Sequence, residues 1–270
     1  MNDLNYYQYA FTQPNCRVQA IGPGVDSRFD VELICEGSVA AVASRIGPDR
    51  FDSEKLQGRT AEEIRWLGEV AARHNQIICE AADNSAVLPL RMGTLFRSRD
   101  SLRATLARCR ATVSEFLRKL GDRQEWGVKL FLRQARLDPV PVHAGPPAPH
   151  FPVAPSDQKS QSGAAYLAAK KAQLESRRQS RAAMRETIVT VERCLTGMAD
   201  HCCRIGNLPS SLTGQSDEMV FNAAFLLPAS SRKNWLDAVE SVGREVSEMG
   251  LLLELSGPWP PYHFCPNLEM

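Results

Sequence analysis

Apolar positions along the chain switch between the two-residue spacing of strands and the three-to-four spacing of helices. Near the N-terminus, NYYQYAFT, FDVELICEG and SVAAVASRI are short, rich in aromatic or β-branched residues and bounded by turn formers. They predict three strands, the second and third joined around Glu36-Gly37-Ser38. Alternation in VELIC assigns Val31, Leu33 and Cys35 to one face. RTAEEIRWLGEVAARHNQIICEAA then opens with Thr60 three residues before Glu63, a capping box. Ile64, Leu67, Ala71, His74 and Ile78 follow at helical spacing. VLPLRMGTLF predicts a strand that Pro89 confines to a sheet edge or a strand end. In SRDSLRATLARCRATVSEFLRKLG, the residues Leu102, Leu106, Cys109, Val113, Phe116 and Leu120 form a helical stripe, and Gly121 stands where a terminating glycine belongs.

The second half repeats the alternation in a different order. EWGVKLFL predicts a strand. Residues 138–163 are dense in Pro, Ser and Gly and predict a mobile loop with no core of its own. A long helix is expected over Ala164–Ala199, its apolar stripe of Leu167, Leu174, Met184, Ile188, Val191 and Leu195 weakest around ESRRQSR. CRIGNL and DEMVFNAAFLLP predict two strands. SSRKNWLDAVESVGREVSEMG predicts a helix burying Trp235, Leu236, Val239, Val242, Val246 and Met249. LLLELSG is apolar enough to predict a central strand. The order from Glu125 is therefore βαββαβ, the ferredoxin-like pattern. The expected fold class is α+β with two domains. A small βββαβα unit spans residues 1–121, and a ferredoxin-like domain spans 122–256. A proline-rich tail at 257–270 packs across both.

That tail, LSGPWPPYHFCP, concentrates four prolines and four aromatic or imidazole rings. Proline lacks the amide donor of a sheet ladder, so the segment should be stiff and extended, laying Trp259, Tyr262 and Phe264 on a surface. That surface belongs either to the protein itself or to a partner.

Composition adds bounds. The 270 residues carry 32 Lys and Arg against 31 Asp and Glu, a net charge of +1, which argues against a chain devoted to nucleic acid. No apolar run is long enough to span a bilayer. The first residues, MNDLNYYQYAFT, lack the basic and apolar regions of a signal peptide, so the cytoplasm is the expected compartment and the eight cysteines are expected reduced. No phosphate-binding glycine loop, nucleophile elbow or zinc-protease motif occurs. Cys194, His201, Cys202 and Cys203 lie close in sequence, but adjacent cysteines suit a tetrahedral ion poorly, and a buried helix end accounts for them better. His74 lies on an apolar helix face, as a core histidine with a backbone partner would. Arg91 in LPLRMG is expected to pair with Glu80 or Asp83, with a binding role second. The run Lys170, Lys171, Arg177, Arg178, Arg181 and Arg185 reads as a solvated helix face, with docking of an acidic partner helix second.

Five segments in order, VLPLRMGTLF, the helix preceding EWGVKLFL together with that strand, GAAYLAAKK, MVFNAAFLLP and LSGPWPPYHF, make the chain resemble the gas vesicle GvpL/GvpF family. Gly257, Pro258, Pro260, Pro261, Tyr262 and Phe264 match that family's G-P-x-P-P-Y-x-F ending, and LPLRMG is similar to its L-P-x-R-F-G, with Met92 in place of Phe. The proline-rich insertion and the Cys202-Cys203 pair depart from the family pattern. The resemblance implies a non-enzymatic accessory protein without cofactor, metal or catalytic residue. It would bind the hydrophobic shell protein and other accessory proteins as the vesicle nucleates and grows, and reside with the gas vesicle. Arg91, Trp126, Pro258, Trp259, Pro261, Tyr262 and Phe264 are the candidate partner-binding or clamp residues. A ligand- or RNA-binding ferredoxin-like module is the alternative.

Overall fold

The structure, a computed structural model, describes residues 5–18, 20–47, 60–133, 159–214 and 216–268. The strands are β1 (Asn5–Thr12), β2 (Val31–Glu36), β3 (Val39–Ile46), β4 (Val87–Pro89), β5 (Leu95–Phe96), β6 (Gln124–Leu132), β7 (His201–Arg204), β8 (Glu218–Leu227) and β9 (Leu251–Trp259). The helices are α1 (Ala61–Ala82), α2 (Arg99–Leu120), α3 (Lys159–Thr196), α4 (Ser210–Thr213) and α5 (Arg232–Glu248).

β1 explains the first sheet. Its residues are buried on both faces, so it lies inside the sheet, whose order is β2-β3-β1-β4 with β5 also on β1. A register shift between Gln8 and Ala10 places Tyr9 and Ala10 on one side and returns Phe11 to the other. One face packs Tyr6, Phe11, Ile34 and Leu88 against Leu102, Leu106, Val113 and Leu117 of α2. The other packs Tyr7, Tyr9, Val42 and Ile46 against Ile77, Ile78 and Ala81 of α1. The capping box of α1 is present: Glu63 N–H donates to Thr60 Oγ1 at 3.2 Å, and Thr60 N–H to Glu63 Oε2 at 2.9 Å. α2 ends at Gly121, whose positive φ of 55° suits a residue without a Cβ.

The second sheet has the antiparallel order β7-β8-β6-β9. α3 and α5 share one apolar cluster with it, centred on Trp235, which is fully buried. The Trp235 indole N–H donates to Leu195 O at 3.2 Å, and its ring lies 5.4 Å from Phe225 and 6.3 Å from Trp126.

Several expectations need correction. VLPLRMGTLF is two short strands around a turn, because Leu90 and Gly93 bind the β1 region and bend the chain there. In β2, Val31 and Leu33 share the face toward α1 as the alternation predicts, with Ile34 buried on the α2 side, but Cys35 near the strand end is exposed. Ile64 is exposed; the first turns of α1 extend past the sheet. α3 runs from Lys159 to Thr196, not 164 to 199. β7 is HCCR instead of CRIGNL, so Cys202 and Cys203 are on a strand and not at a helix end. Met249 is exposed just beyond α5. β9 is an edge strand, and its leucines line a groove beside α5 instead of a sheet centre. The loop expected at 138–163 falls outside the described residues up to 158.

Candidate functional site

The tail begins inside the sheet. β9 continues through Pro258 to Trp259, contrary to the expectation that the prolines leave the ladder. An edge strand allows this, because the missing proline donor can face away from the neighbouring strand. Gly127 pairs with Ser256 and Glu125 with Trp259, so Gly257 and Pro258 bulge opposite Trp126. Gly257 has φ 124°, and a Cβ there would come within 2.9 Å of Glu125 O and 3.2 Å of the Trp126 ring. Trp126 itself is buried, its indole N–H without a hydrogen-bond partner among the described residues.

Beyond Trp259 the chain turns, with Tyr262 N–H donating to Pro260 O and Phe264 N–H to Pro261 O. Pro260 and Pro261 are buried, while Pro258, Trp259 and Tyr262 keep an exposed side. Tyr262 Oη donates to Asn75 Oδ1 of α1 at 2.6 Å. His263 grips Glu125 of β6 twice: its backbone N–H donates to Oε2 at 2.9 Å, and Nδ1–H donates to Oε1 at 2.6 Å. Glu125 is only 3% exposed. Its carboxylate raises the proton affinity of His263 against the opposing effect of burial. Burial raises the Tyr262 hydroxyl, and burial with the Glu125 charge pushes the Cys265 thiol up to about 12. Phe264 lies 6.5 Å from His201 on β7, while Cys265 and Leu268 pack against the α2 side of the first sheet. The segment from Tyr262 to Leu268 thus touches elements of both sheets. A cleft of about 430 Å³ separates Pro258–Pro261 from the ends of α1 and α2.

Arg91 shares a groove of about 680 Å³ with Asn75, Tyr262 and Cys265 of this cluster. It is exposed in the turn after β4 and forms no ion pair among the described residues. Neither expected partner reaches it, and Glu80 is engaged by Arg73 and Gln76. What holds the turn is a buried set built on His74, the core histidine with a backbone partner expected from its apolar helix face. Leu90 O accepts from His74 Nε2–H at 3.1 Å, so Nδ1 is the acceptor for Tyr7 Oη–H at 2.9 Å. Gly93 N–H in turn donates to Tyr7 Oη at 3.0 Å. Burial lowers the proton affinity of His74 and keeps it neutral. The legible signal was a histidine on an apolar helix face. Glu125, an acid beginning an apolar strand, was the equivalent signal for the His263 contact.

A second surface is the open edge of β9. Leu236, Val239 and Gly243 of α5 and Leu251–Leu253 with Leu255 of β9 line a groove of about 550 Å³. Leu255 is 38% exposed. Among the described residues, no three His, Cys, Asp or Glu side chains converge as a metal site would require, and no helix is long and apolar enough to cross a membrane.

These features define a mixed α+β protein of two antiparallel sheets joined by helices and a C-terminal strap, its surface marked by open grooves. The family described as "Gas vesicle synthesis protein GvpL/GvpF" matches residues 5–266, and the chain belongs to that family. "Gas vesicle protein L" of Streptomyces sp. (strain CB03234) is 27% identical over 271 residues, covering 99% of this chain and 95% of that protein. The crystal structure of the gas vesicle protein GvpF from Anabaena sp. PCC7120 superposes with TM-score 0.65 at 19% identity, covering 98% of each chain. That of GvpF from Microcystis aeruginosa gives 0.62 at 15% identity, covering 97% of this chain and 99% of the other. Both structures share the fold.

Proposed function

We propose that this chain is a non-enzymatic accessory protein that binds the hydrophobic gas vesicle shell protein and assists nucleation or growth of the vesicle. It works in the cytoplasm and at the gas vesicle, alongside other accessory proteins. The observation that carries this reading is the groove beside β9, which among the described residues pairs on one side only, with β6, in a chain of a gas vesicle synthesis family. A shell subunit destined for a gas-filled wall exposes apolar surface before it is incorporated. An open strand edge flanked by Leu236, Val239, Leu253 and Leu255 can satisfy such a subunit's backbone and cover its apolar side chains together.

The division into units at 1–121 and 122–256 belongs to this proposal. So does the ferredoxin-like reading of the second, which the order β7-β8-β6-β9 supports. The tail acts as a clamp between the two units. The contacts of Tyr262 with α1 and of His263 with β6 favour that role over direct partner contact.

The test is co-expression with the shell protein followed by affinity capture. Capture by the wild type, with roughly tenfold loss in Leu255→Lys, supports the groove. Failure of the wild type, with both proteins folded and soluble, rejects direct shell binding. A chain ending at Pro261 separates the tail's roles. A lower melting temperature with capture retained marks a clamp, and an unchanged melting temperature with capture lost marks a docking segment.

A further inference from the structure

Outside the grooves and the strap, the N-terminal part of α3 is a long exposed surface. With 38 residues, α3 is about 57 Å long. Among the described residues it is anchored at its C-terminal end, through Ile188, Val191 and Leu195 in the second core, with Met184 partly buried. Every residue from Tyr166 to Ala183 is exposed. Leu167 is 66% exposed and Leu174 54%.

The anchored positions define a seam of alternating four and three residues. Followed toward the N-terminus, the same seam runs from Leu195, Val191, Ile188 and Met184 to Arg181, Arg177, Leu174, Lys170 and Leu167. The face that enters the core at one end therefore continues into solvent as a coiled-coil seam of leucines and cations. Lys171, Arg178 and Arg185 flank it. Six cations between Tyr166 and Thr187 face two carboxylates, Glu175 and Glu186. None of the six forms an ion pair with a described residue, and Lys170 alone has a described ring partner, lying 5.9 Å over Tyr166. Elsewhere arginines pair routinely: Arg28 with Asp26, Arg73 with Glu80, Arg103 with Glu36, Arg123 with Asp200 and Arg204 with Glu192.

The unpaired charge opposes the helix that bears it. Arg177 and Arg181, and Arg181 and Arg185, are like charges four residues apart, which destabilises an isolated helix. A helical segment without tertiary contacts is only marginally stable in water. An opposing helix with carboxylates would relieve the repulsion and cover Leu167 and Leu174. A second copy of the same segment would set cations against cations, so self-pairing through this seam is disfavoured.

We propose that the exposed part of α3 is a docking helix for an acidic amphipathic helix of a partner protein, paired along Leu167, Lys170, Leu174, Arg177 and Arg181. The leucines in the seam favour a helix over a nucleic acid. Backbone phosphates would use the cations and leave the leucines without a role.

The experiment uses the whole chain and a fluorescent synthetic probe of about three heptads, with leucine at the seam positions and glutamate on both flanks. Anisotropy measures its binding to the wild type, to Leu167→Ser/Leu174→Ser and to Lys170→Glu/Arg177→Glu/Arg181→Glu. A matching probe with lysine flanks and a single-stranded oligouridylate are run alongside. Melting curves confirm that each variant keeps its fold. The expected result is saturable binding of the acidic probe to the wild type, with roughly tenfold weakening in both variants. The lysine probe should then bind the charge-reversed variant. Absence of acidic-probe binding up to about 100 µM overturns the proposal. So does acidic-probe binding that ignores the leucine substitutions, or oligouridylate binding tighter than that of the acidic probe.

Discussion

His263→Ala tests the grip of the strap on the second sheet. The substitution deletes the ring bond to Glu125, 2.6 Å long, and leaves the backbone N–H donating to the same carboxylate. A hydrogen bond to a charged group contributes about 1.5–3 kcal/mol when shielded. The His263 side chain is 41% exposed, so solvent screening reduces this to about 1 kcal/mol. For a chain of 270 residues, that lowers the melting temperature by about 2–4 °C. The loss depends on pH with a definite sign. Glu125 raises the proton affinity of His263 above its ordinary value of 6.5, so the folded state favours the protonated ring. That contribution is fully present below 6.5 and fades as pH rises through the raised folded value. The neighbouring Tyr262 and Cys265 are both raised, Cys265 to about 12, and stay protonated across this window. Scanning calorimetry of wild type and variant at about pH 6 and pH 9 should therefore show a gap that narrows at the higher pH. A gap of equal size at both, or one that widens, would refute the reasoning.

Three further outcomes follow from the same geometry. Gly257→Ala should lower stability by about 1–3 kcal/mol, since its φ of 124° and the 2.9 Å approach to Glu125 O both exclude a Cβ; an unchanged urea midpoint counts against this. His74 has the opposite sign to His263: its proton affinity is lowered from 6.5, so its contribution holds above 6.5 and is lost as pH falls through the depressed value. His74→Gln should flatten the acid limb of the stability profile, and a limb of unchanged steepness would show that His74 is not its source. Arg91→Ala should stay within about 0.5 kcal/mol of wild type in denaturant melts, because the side chain is exposed and without an ion pair among the described residues.

Local patterning located most elements because their signals are local. Thr60 and Glu63 cap α1 through neighbours three residues apart, and the α2 stripe from Leu102 to Leu120 records a single buried face. The signals failed where a distant segment decided the outcome. VLPLRMGTLF has the composition of one strand, yet Tyr7 and His74, from β1 and α1, hold it in a turn. LLLELSG has the composition of a central strand. Its leucines instead serve a groove with α5 at the sheet edge, which composition cannot distinguish from burial on two sides.

By itself, then, the sequence determined the mixed α+β class, the order of the principal helices and strands, the family, and the concentration of rings in the tail. Each of these follows from periodicity, capping or a contiguous motif. Tertiary structure alone decided that Glu125 and His263 meet across 138 positions, that the tail prolines end an edge strand, and that Arg91 points to solvent. It also decided that the α3 seam leaves the core partway along its length. The physical reason is common to all four. Burial and pairing depend on which surfaces oppose one another in space, and a strand or helix carries the same pattern whether its partner is present or absent.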